Sequence, residues 1–247
     1  MQIILQVRSD GRGRCLGERN MERAINLEEI SDGRRYNLND MVKADCGDCQ
    51  GCSDCCREME KSILLDPLDI HRLCTGLGLT FDQLLEDRIQ LNLVDGMILP
   101  NLKMSETDHC CTFLNEEGRC SIHSIRPGIC RIFPLGRIYE NGSFQYFLQI
   151  YECSRENRAK VKVKKWIDTP ECKKNQEYLI QWHYFIKNLG DQLNRRQDET
   201  LQRAVILYVL KQFFQTPYEE PFYDSFFERL QQGKDYFSRL GVIPSEG

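Results

Sequence analysis

Cys46-Gly-Asp-Cys49-Gln-Gly-Cys52-Ser-Asp-Cys55-Cys56 places five cysteines within eleven consecutive residues. Thiolates that are two residues apart can converge on one ion across a tight turn, and the two glycines of this stretch supply the backbone freedom that such a turn needs. A single CxxC pair is a weak signal, whereas three overlapping pairs that end in adjacent cysteines are a strong one. We therefore expect a metal to organise this part of the chain.

A second group of cysteines follows further along the chain. The chain of 247 residues contains 13 cysteines. The second group consists of those after residue 100, namely Cys110, Cys111, Cys120, Cys130, Cys153 and Cys172. One tetrahedral ion or one cubane cluster takes four thiolates. Adjacent Cys55 and Cys56 are expected to point in different directions. The sequence therefore predicts two centres, or one polynuclear centre.

Composition and charge indicate a globular protein and argue against nucleic-acid-binding and membrane proteins. The chain has 33 Lys and Arg against 37 Asp and Glu, and 41% of its residues are hydrophobic, which is typical of a globular protein. The mildly acidic total argues against nucleic acid as a partner. No apolar run approaches the roughly 20 residues that cross a bilayer, and no signal-peptide pattern is seen. We expect a cytoplasmic chain with no membrane contact, whose thiols stay reduced and bind metal.

The organisation along the chain follows from helix and turn signals. We expect residues 1–20 to be a disordered leader or an over-called start, residues 21–168 a metal-organised module, and residues 169–247 a helical extension. Within the module, Asp66-Pro67 and Thr80 predict two short helices, while Asp95-Gly96 and Asn141-Gly142 predict hairpin turns. The fold class predicted is α+β, mainly helical, with a small antiparallel hairpin beside the metal site.

The extension shows the periodicity of buried helices. Six apolar residues follow the i, i+3, i+4, i+7 spacing of one helix face: Tyr178, Leu179, Trp182, Phe185, Ile186 and Leu189. A second helix is predicted over about residues 198–214, ahead of Pro217, and a third carries Phe222, Phe226, Phe227 and Leu230. These helices are a candidate surface for a protein partner.

Two known cysteine spacings overlap in the first stretch. Cys46, Cys49, Cys52 and Cys56 match the C-x2-C-x2-C-x3-C run of bacterial-type ferredoxins, although Arg57 stands where that run has proline. The second spacing is Cys49-x2-Cys52-x2-Cys55-Cys56. The C-x3-C-x2-C spacing of radical S-adenosylmethionine enzymes does not occur.

The second spacing resembles the CxxCxxCC cysteine-cluster family, the YkgJ-type zinc- or iron-chelating proteins. The similarity continues in three downstream motifs, namely Cys111-Thr-Phe-Leu, Cys120-Ser-Ile-His and Arg126-Pro127-Gly-Ile-Cys130-Arg131-Ile-Phe133-Pro134. Departures from the family pattern are Thr112 for proline, His123 for tyrosine, and the additional thiols Cys46 and Cys110. The resemblance implies metal chelation, by zinc or iron, without a settled reaction.

The candidate site residues combine this resemblance with the cysteine spacing. The predicted metal ligands are Cys46, Cys49, Cys52, Cys55, Cys56, Cys111, Cys120, Cys130 and Cys153. Arg57, Arg126 and Arg131 are predicted to balance the negative charge or to donate to sulfur. His109 and His123 are further candidates, and the basic run Arg155–Lys165 is interpreted as a solvated face.

Three classes of function remain open. The first is a protein that binds an iron–sulfur cluster, with [4Fe-4S] preferred, or zinc. The second is an enzyme that uses such a centre for redox chemistry or, by analogy with a flagellin lysine-N-methylase that carries a similar cysteine module, for lysine N-methylation. The third is a structural zinc module that presents the helical extension to a partner.

Overall fold

The chain folds as a mainly helical α+β protein. The computed structural model describes residues 2–4, 27–47, 52–155 and 157–244. Among these residues 46% are helical and 20% are in strand. The predicted fold class is therefore confirmed.

Seven short strands form three small antiparallel sheets in the described part of the chain. The strands are β1 (Gln2–Ile4), β2 (Met41–Asp45), β3 (Ile89–Val94), β4 (Met97–Leu102), β5 (Leu135–Glu140), β6 (Ser143–Leu148) and β7 (Ala159–Lys162). One sheet has the order β1-β5-β6, and the other two are the pairs β2-β7 and β3-β4. The first sheet thus joins the start of the chain to the hairpin that follows Cys130.

Two-residue turns close the hairpins β3-β4 and β5-β6, as predicted. In the second turn Asn141 has φ 51° and Gly142 has φ 74°, the left-handed pair that matches the twist of a tight hairpin. Asp95 and Gly96 have φ 49° and 81° in the first turn. Both hairpin predictions are confirmed.

Eight α-helices complete the described fold. They are α1 (Leu27–Ile30), α2 (Pro67–Leu77), α3 (Phe81–Asp87), α4 (Gly128–Ile132), α5 (Val163–Ile167), α6 (Cys172–Arg196), α7 (Glu199–Val209) and α8 (Phe222–Arg239). A π-helical segment, Leu210–Gln215, continues α7 up to the turn before Pro217. Across the residues described, none of these helices has the length and apolar character that crossing a membrane requires.

Capping boxes begin the two helices that the sequence predicted in the module. The Asp66 side chain accepts from the backbone N–H of Asp69, and Thr80 pairs in the same way with Gln83. Each box satisfies backbone donors that the first turn of a helix leaves free. Pro67 occupies the first position of α2, where its missing N–H costs nothing.

One apolar core connects the module with the C-terminal helices. All six residues of the predicted α6 face are buried and belong to the same cluster as the core of the module. The hydroxyl of Tyr178 accepts a hydrogen bond from the backbone N–H of Leu68 at 2.9 Å. Helix α6 therefore packs directly on α2. Of the proposed leader, only Gln2–Ile4 is described, and it pairs with β5.

Candidate metal centre

Five cysteine side chains line one cavity in the module. The cavity has a volume of about 430 Å³, counted with the solvent at its mouth, and its thiols come from Cys55, Cys56, Cys111, Cys120 and Cys130. We call these five residues the first thiol group. Ile63, Leu102, Met104 and Ile122 form its apolar wall, and His123 and Arg126 are its polar lining. Soft sulfur donors in an apolar pocket suit a thiophilic metal.

Short backbone ladders bring the first thiol group together from distant parts of the chain. Cys55 and Cys56 lie in a 3-10 turn, and the backbone N–H of Cys111 donates to the Cys56 carbonyl at 2.7 Å. Cys120 forms an isolated bridge with Leu114. Cys130 lies in the middle of α4. Local hydrogen bonding, rather than a large sheet, therefore sets the positions of the sulfur atoms.

The adjacent cysteines Cys55 and Cys56 face the same cavity, with 4.0 Å between their sulfur atoms. The expectation that they point in different directions is therefore wrong. The two sulfurs can thus contribute to a single centre.

Contacts among the sulfur atoms of the first thiol group shift the pKa values of these cysteines. The Cys56 thiol hydrogen-bonds with Cys120 and Cys55, which raises its own pKa strongly. The same contacts lower the pKa of Cys120 to about 7 and lower that of Cys55. Burial raises the pKa of Cys111 to about 11 and raises that of Cys130 as well. Crowded thiolates oppose one another's ionisation, and a bound cation removes that cost.

A second set of cysteines lies away from this cavity. The sulfurs of Cys46 and Cys52 are close enough to Cys153 to raise its pKa electrostatically, while burial is the larger cause. None of these three residues lines the cavity of the first group. We call Cys46, Cys52 and Cys153 the second thiol group. Across the residues described, no three His, Cys, Asp or Glu side chains already converge on one ion.

The family comparison agrees with this arrangement of thiols. A family model described as a putative zinc- or iron-chelating domain, CxxCxxCC, matches residues 48–174. The chain belongs to the CxxCxxCC family. No curated protein and no solved structure matches the chain. The family match covers the first thiol group entirely and leaves out Cys46 of the second.

Of the three arginines that were expected near the metal, Arg126 lines the CxxCxxCC cavity. Its Nη1 lies 2.7 Å from Nε2 of His123, whereas its buried Nε has no hydrogen-bond partner among the described residues. A buried N–H without an acceptor is costly. A thiolate or other anionic sulfur in the cavity would supply that acceptor, so the donor set fits a negatively charged metal–thiolate centre.

The other two arginines are turned elsewhere. Arg57 donates from Nη1 to the Cys110 sulfur at 3.0 Å and from Nε to Ser53 at 2.9 Å. Arg131 donates to the carbonyl of Ser124 at 3.0 Å and lies 3.5 Å from that of Asp168. Neither residue lines the cavity. Cys110 is thus held by Arg57 outside the first thiol group, although its neighbour Cys111 belongs to it.

The other cysteines and the histidine that the sequence offered as possible metal ligands either do not line the cavity or lie outside the described residues. Cys49 and Cys15 lie outside the described residues. Cys172 donates to the Thr169 carbonyl at 2.9 Å, and burial alone raises the pKa of Cys74. His109, unlike His123, does not line the cavity. Of the described residues among these, Cys172, Cys74 and His109 supply no thiol or imidazole to the first group.

Sequence reasoning missed two polar residues near the thiol groups. Asp69 is almost fully buried in α2 and accepts a hydrogen bond from the backbone N–H of Gly128, two residues before Cys130. Arg158 lies beside the second thiol group and lowers the pKa of Cys153. Asp69 could have been found from its position three residues after the N-cap Asp66. The sequence contains no signal that distinguishes Arg158 from the other basic residues around it.

Proposed function

We propose that the first thiol group binds one zinc or iron centre and that this centre holds the module together. The observation that supports the proposal is that five thiols from four separate segments of the chain line a single cavity. An all-thiolate donor set is typical of structural sites, in which metal-binding energy becomes folding energy. Membership of a zinc- or iron-chelating family agrees with it.

The sulfur spacing favours a mononuclear centre. Zinc–sulfur bonds of about 2.3 Å place the sulfurs of a tetrahedral site roughly 3.8 Å apart. The Cys55 and Cys56 sulfurs are 4.0 Å apart, and Cys56 also hydrogen-bonds with Cys120. We propose these three residues as ligands, with the fourth taken from Cys111 or Cys130.

A [4Fe-4S] cluster is the second candidate. The five thiols of the cavity are enough for the four that a cubane takes. Such a cluster would draw its thiolates from the first thiol group rather than from the ferredoxin-like run. That run would have to combine Cys56, which faces the cavity, with Cys46 and Cys52, which lie beside Cys153.

The metal would supply a cross-link rather than a reaction. The thiol segments of the first group lie in a 3-10 turn, in isolated bridges and in the five-residue helix α4. Arg126 would donate from Nε to a bound thiolate and offset part of the negative charge of the centre. The apolar wall would exclude water and slow the loss of metal.

Metal analysis of anaerobically purified protein tests the proposal. Zinc or iron per chain and acid-labile sulfide are measured for the wild type and for C56S and C130S, with C74S and C172S as matched controls outside the group. We expect equal metal content in the wild type and in both controls, and one metal centre fewer in C56S. Metal without sulfide supports the mononuclear centre, whereas iron with matching sulfide supports the cluster. Wild-type metal content in C56S and C130S would overturn the proposal.

A further inference from the structure

We propose that Cys46, Cys52 and Cys153 form a second metal site, separate from the first thiol group, for a thiophilic ion of the zinc class. Cys46 lies outside the residues that the family model matches, whereas Cys52 and Cys153 lie within them. The inference goes beyond the proposed function, and either site can bind metal without the other.

Strand pairing carries Cys46 to this site. Strands β2 and β7 are antiparallel, and Asp45 pairs with Ala159 at the end of the ladder. The next residue along β2 is Cys46, and the residue before Ala159 is Arg158. In an antiparallel pair these two positions come opposite each other. The thiol of Cys46 and the guanidinium of Arg158 therefore share one end of the sheet.

A hydrogen-bonded link brings the other two thiols to the same place. Both the backbone N–H and the hydroxyl of Ser154 donate to Oδ2 of Asp54. Ser154 follows Cys153 directly, and Asp54 is two residues after Cys52. The link therefore fastens the Cys153 segment to the Cys52 segment, and all three thiols are half-buried.

The charge pattern indicates an anionic ligand set. Nη1 of Arg158 is buried and has no hydrogen-bond partner within the described part of the chain. A metal bound by thiolates would supply that partner, because the cation stabilises the charged sulfurs and a thiolate accepts the arginine N–H.

The ligand class follows from the donor atoms. Three thiolates select soft or borderline ions such as zinc over magnesium or calcium. A disulfide between two of the three thiols is the competing outcome, and it would leave one thiol behind. The experiment must therefore count both metal and thiols.

Zinc titration of the reduced, metal-stripped full chain tests the second site. Native mass spectrometry counts zinc in the wild type, C46S, C153S, C56S and the control C74S. We expect two zinc ions in the wild type and C74S, and one in C46S and C153S. If C46S and C153S keep two ions, the second site is wrong. If C56S keeps two ions, the first site is wrong, so the two failures are distinguishable.

Alkylation of the wild-type chain gives a test that does not depend on the folding of variants. Iodoacetamide labelling with and without zinc is mapped to individual cysteines by peptide mass spectrometry. We expect zinc to slow labelling of Cys46, Cys52 and Cys153 at least tenfold and to leave Cys74 unchanged. Equal labelling of Cys153 with and without zinc would overturn the proposal, as would a disulfide that includes Cys153 in protein purified without reductant.

Discussion

Asp69 and Gly128 join two helices through one hydrogen bond, with 2.7 Å between the Asp69 Oδ1 and the Gly128 nitrogen. The second carboxylate oxygen accepts from the backbone N–H of Asp66 at 3.1 Å. Because Gly128 begins the helix that carries Cys130, a single buried carboxylate fixes that helix against α2. This hydrogen bond does not involve a metal, so it positions the thiol of Cys130 before any metal binds.

The Asp69 link predicts a large effect of D69A. Removing the carboxylate leaves two buried N–H groups without acceptors, so we expect the free energy of unfolding to fall by about 2–4 kcal/mol. D69N keeps one acceptor oxygen and should lose less. Urea unfolding followed by tryptophan fluorescence measures both. D191A removes an exposed carboxylate paired with Lys187 and should change stability by less than about 1 kcal/mol. Equal midpoints for D69A and D191A would contradict the structure.

Helix α6 approaches the β3-β4 turn so closely that it tolerates only glycine at position 190. A Cβ atom there would lie 2.2 Å from the Asp95 carbonyl oxygen. Because the contact is with backbone, the helix or the hairpin must move, and we expect G190A to lose about 1–3 kcal/mol of stability. At Gly233 the nearest atom would be Phe213 Cζ at 3.3 Å, which can shift. Thermal unfolding that ranks G233A below G190A would refute this account.

Removal of metal is expected to loosen the module and to spare the helical core. The thiol segments lie in short turns and isolated bridges, whereas α6 is buried among aromatic rings such as Phe213 and Phe226. Hydrogen exchange of the chelated and loaded forms should therefore differ over residues 111–130 and agree over residues 178–193. Uniform change over both ranges would instead mean that the metal controls the whole fold.

Arg126 is predicted to slow the loss of metal from the first thiol group. Its buried Nε is the donor that a thiolate of the centre would accept, and such charged hydrogen bonds contribute about 1.5–3 kcal/mol. R126M should therefore release metal roughly tenfold faster to a chromophoric chelator, with R126K in between. R131M is the control, because Arg131 binds backbone carbonyls outside the cavity. Equal rates for R126M and the wild type would contradict this role.

His183 predicts an acid-sensitive contribution to stability. Burial, aided by nearby Lys187 and Arg137, lowers its pKa to about 3, and its ring stacks on Tyr139 at 3.6 Å. The unfolded chain takes up the proton near pH 6.5, but the folded chain resists it down to about 3. Stability from this residue is therefore present above pH 6.5 and falls by about 1.4 kcal/mol per pH unit below it.

The variant H183F isolates this effect from the titration of the thiols. Phenylalanine retains the stack on Tyr139 and cannot be protonated. Between pH 7.5 and 5.5 the wild type should lose about 1.4 kcal/mol more unfolding free energy than H183F. Parallel pH profiles for the two proteins would show that His183 is not buried in its neutral form.

Local signals in the sequence predicted much of the fold. The N-cap at Asp66, the capping box at Thr80, the turns at Asp95-Gly96 and Asn141-Gly142, and the buried face of α6 are all confirmed. Each depends on residues within a few positions of one another, so their physics is complete in a short window of sequence. The π-helical continuation of α7 had no such signal.

The sequence by itself determined that the chain is rich in thiol ligands, which family it resembles, and where its helices and turns begin. Tertiary structure alone decided which thiols belong together. It separated Cys110 from Cys111 and Cys52 from Cys55, and it turned Arg57 away from the cavity that Arg126 lines. These choices depend on contacts between segments 50 to 100 residues apart, such as those of Arg57 with Cys110 and Ser154 with Asp54. Spacing along the chain carries no information about such contacts, because the direction of each side chain is set by the segment packed against it.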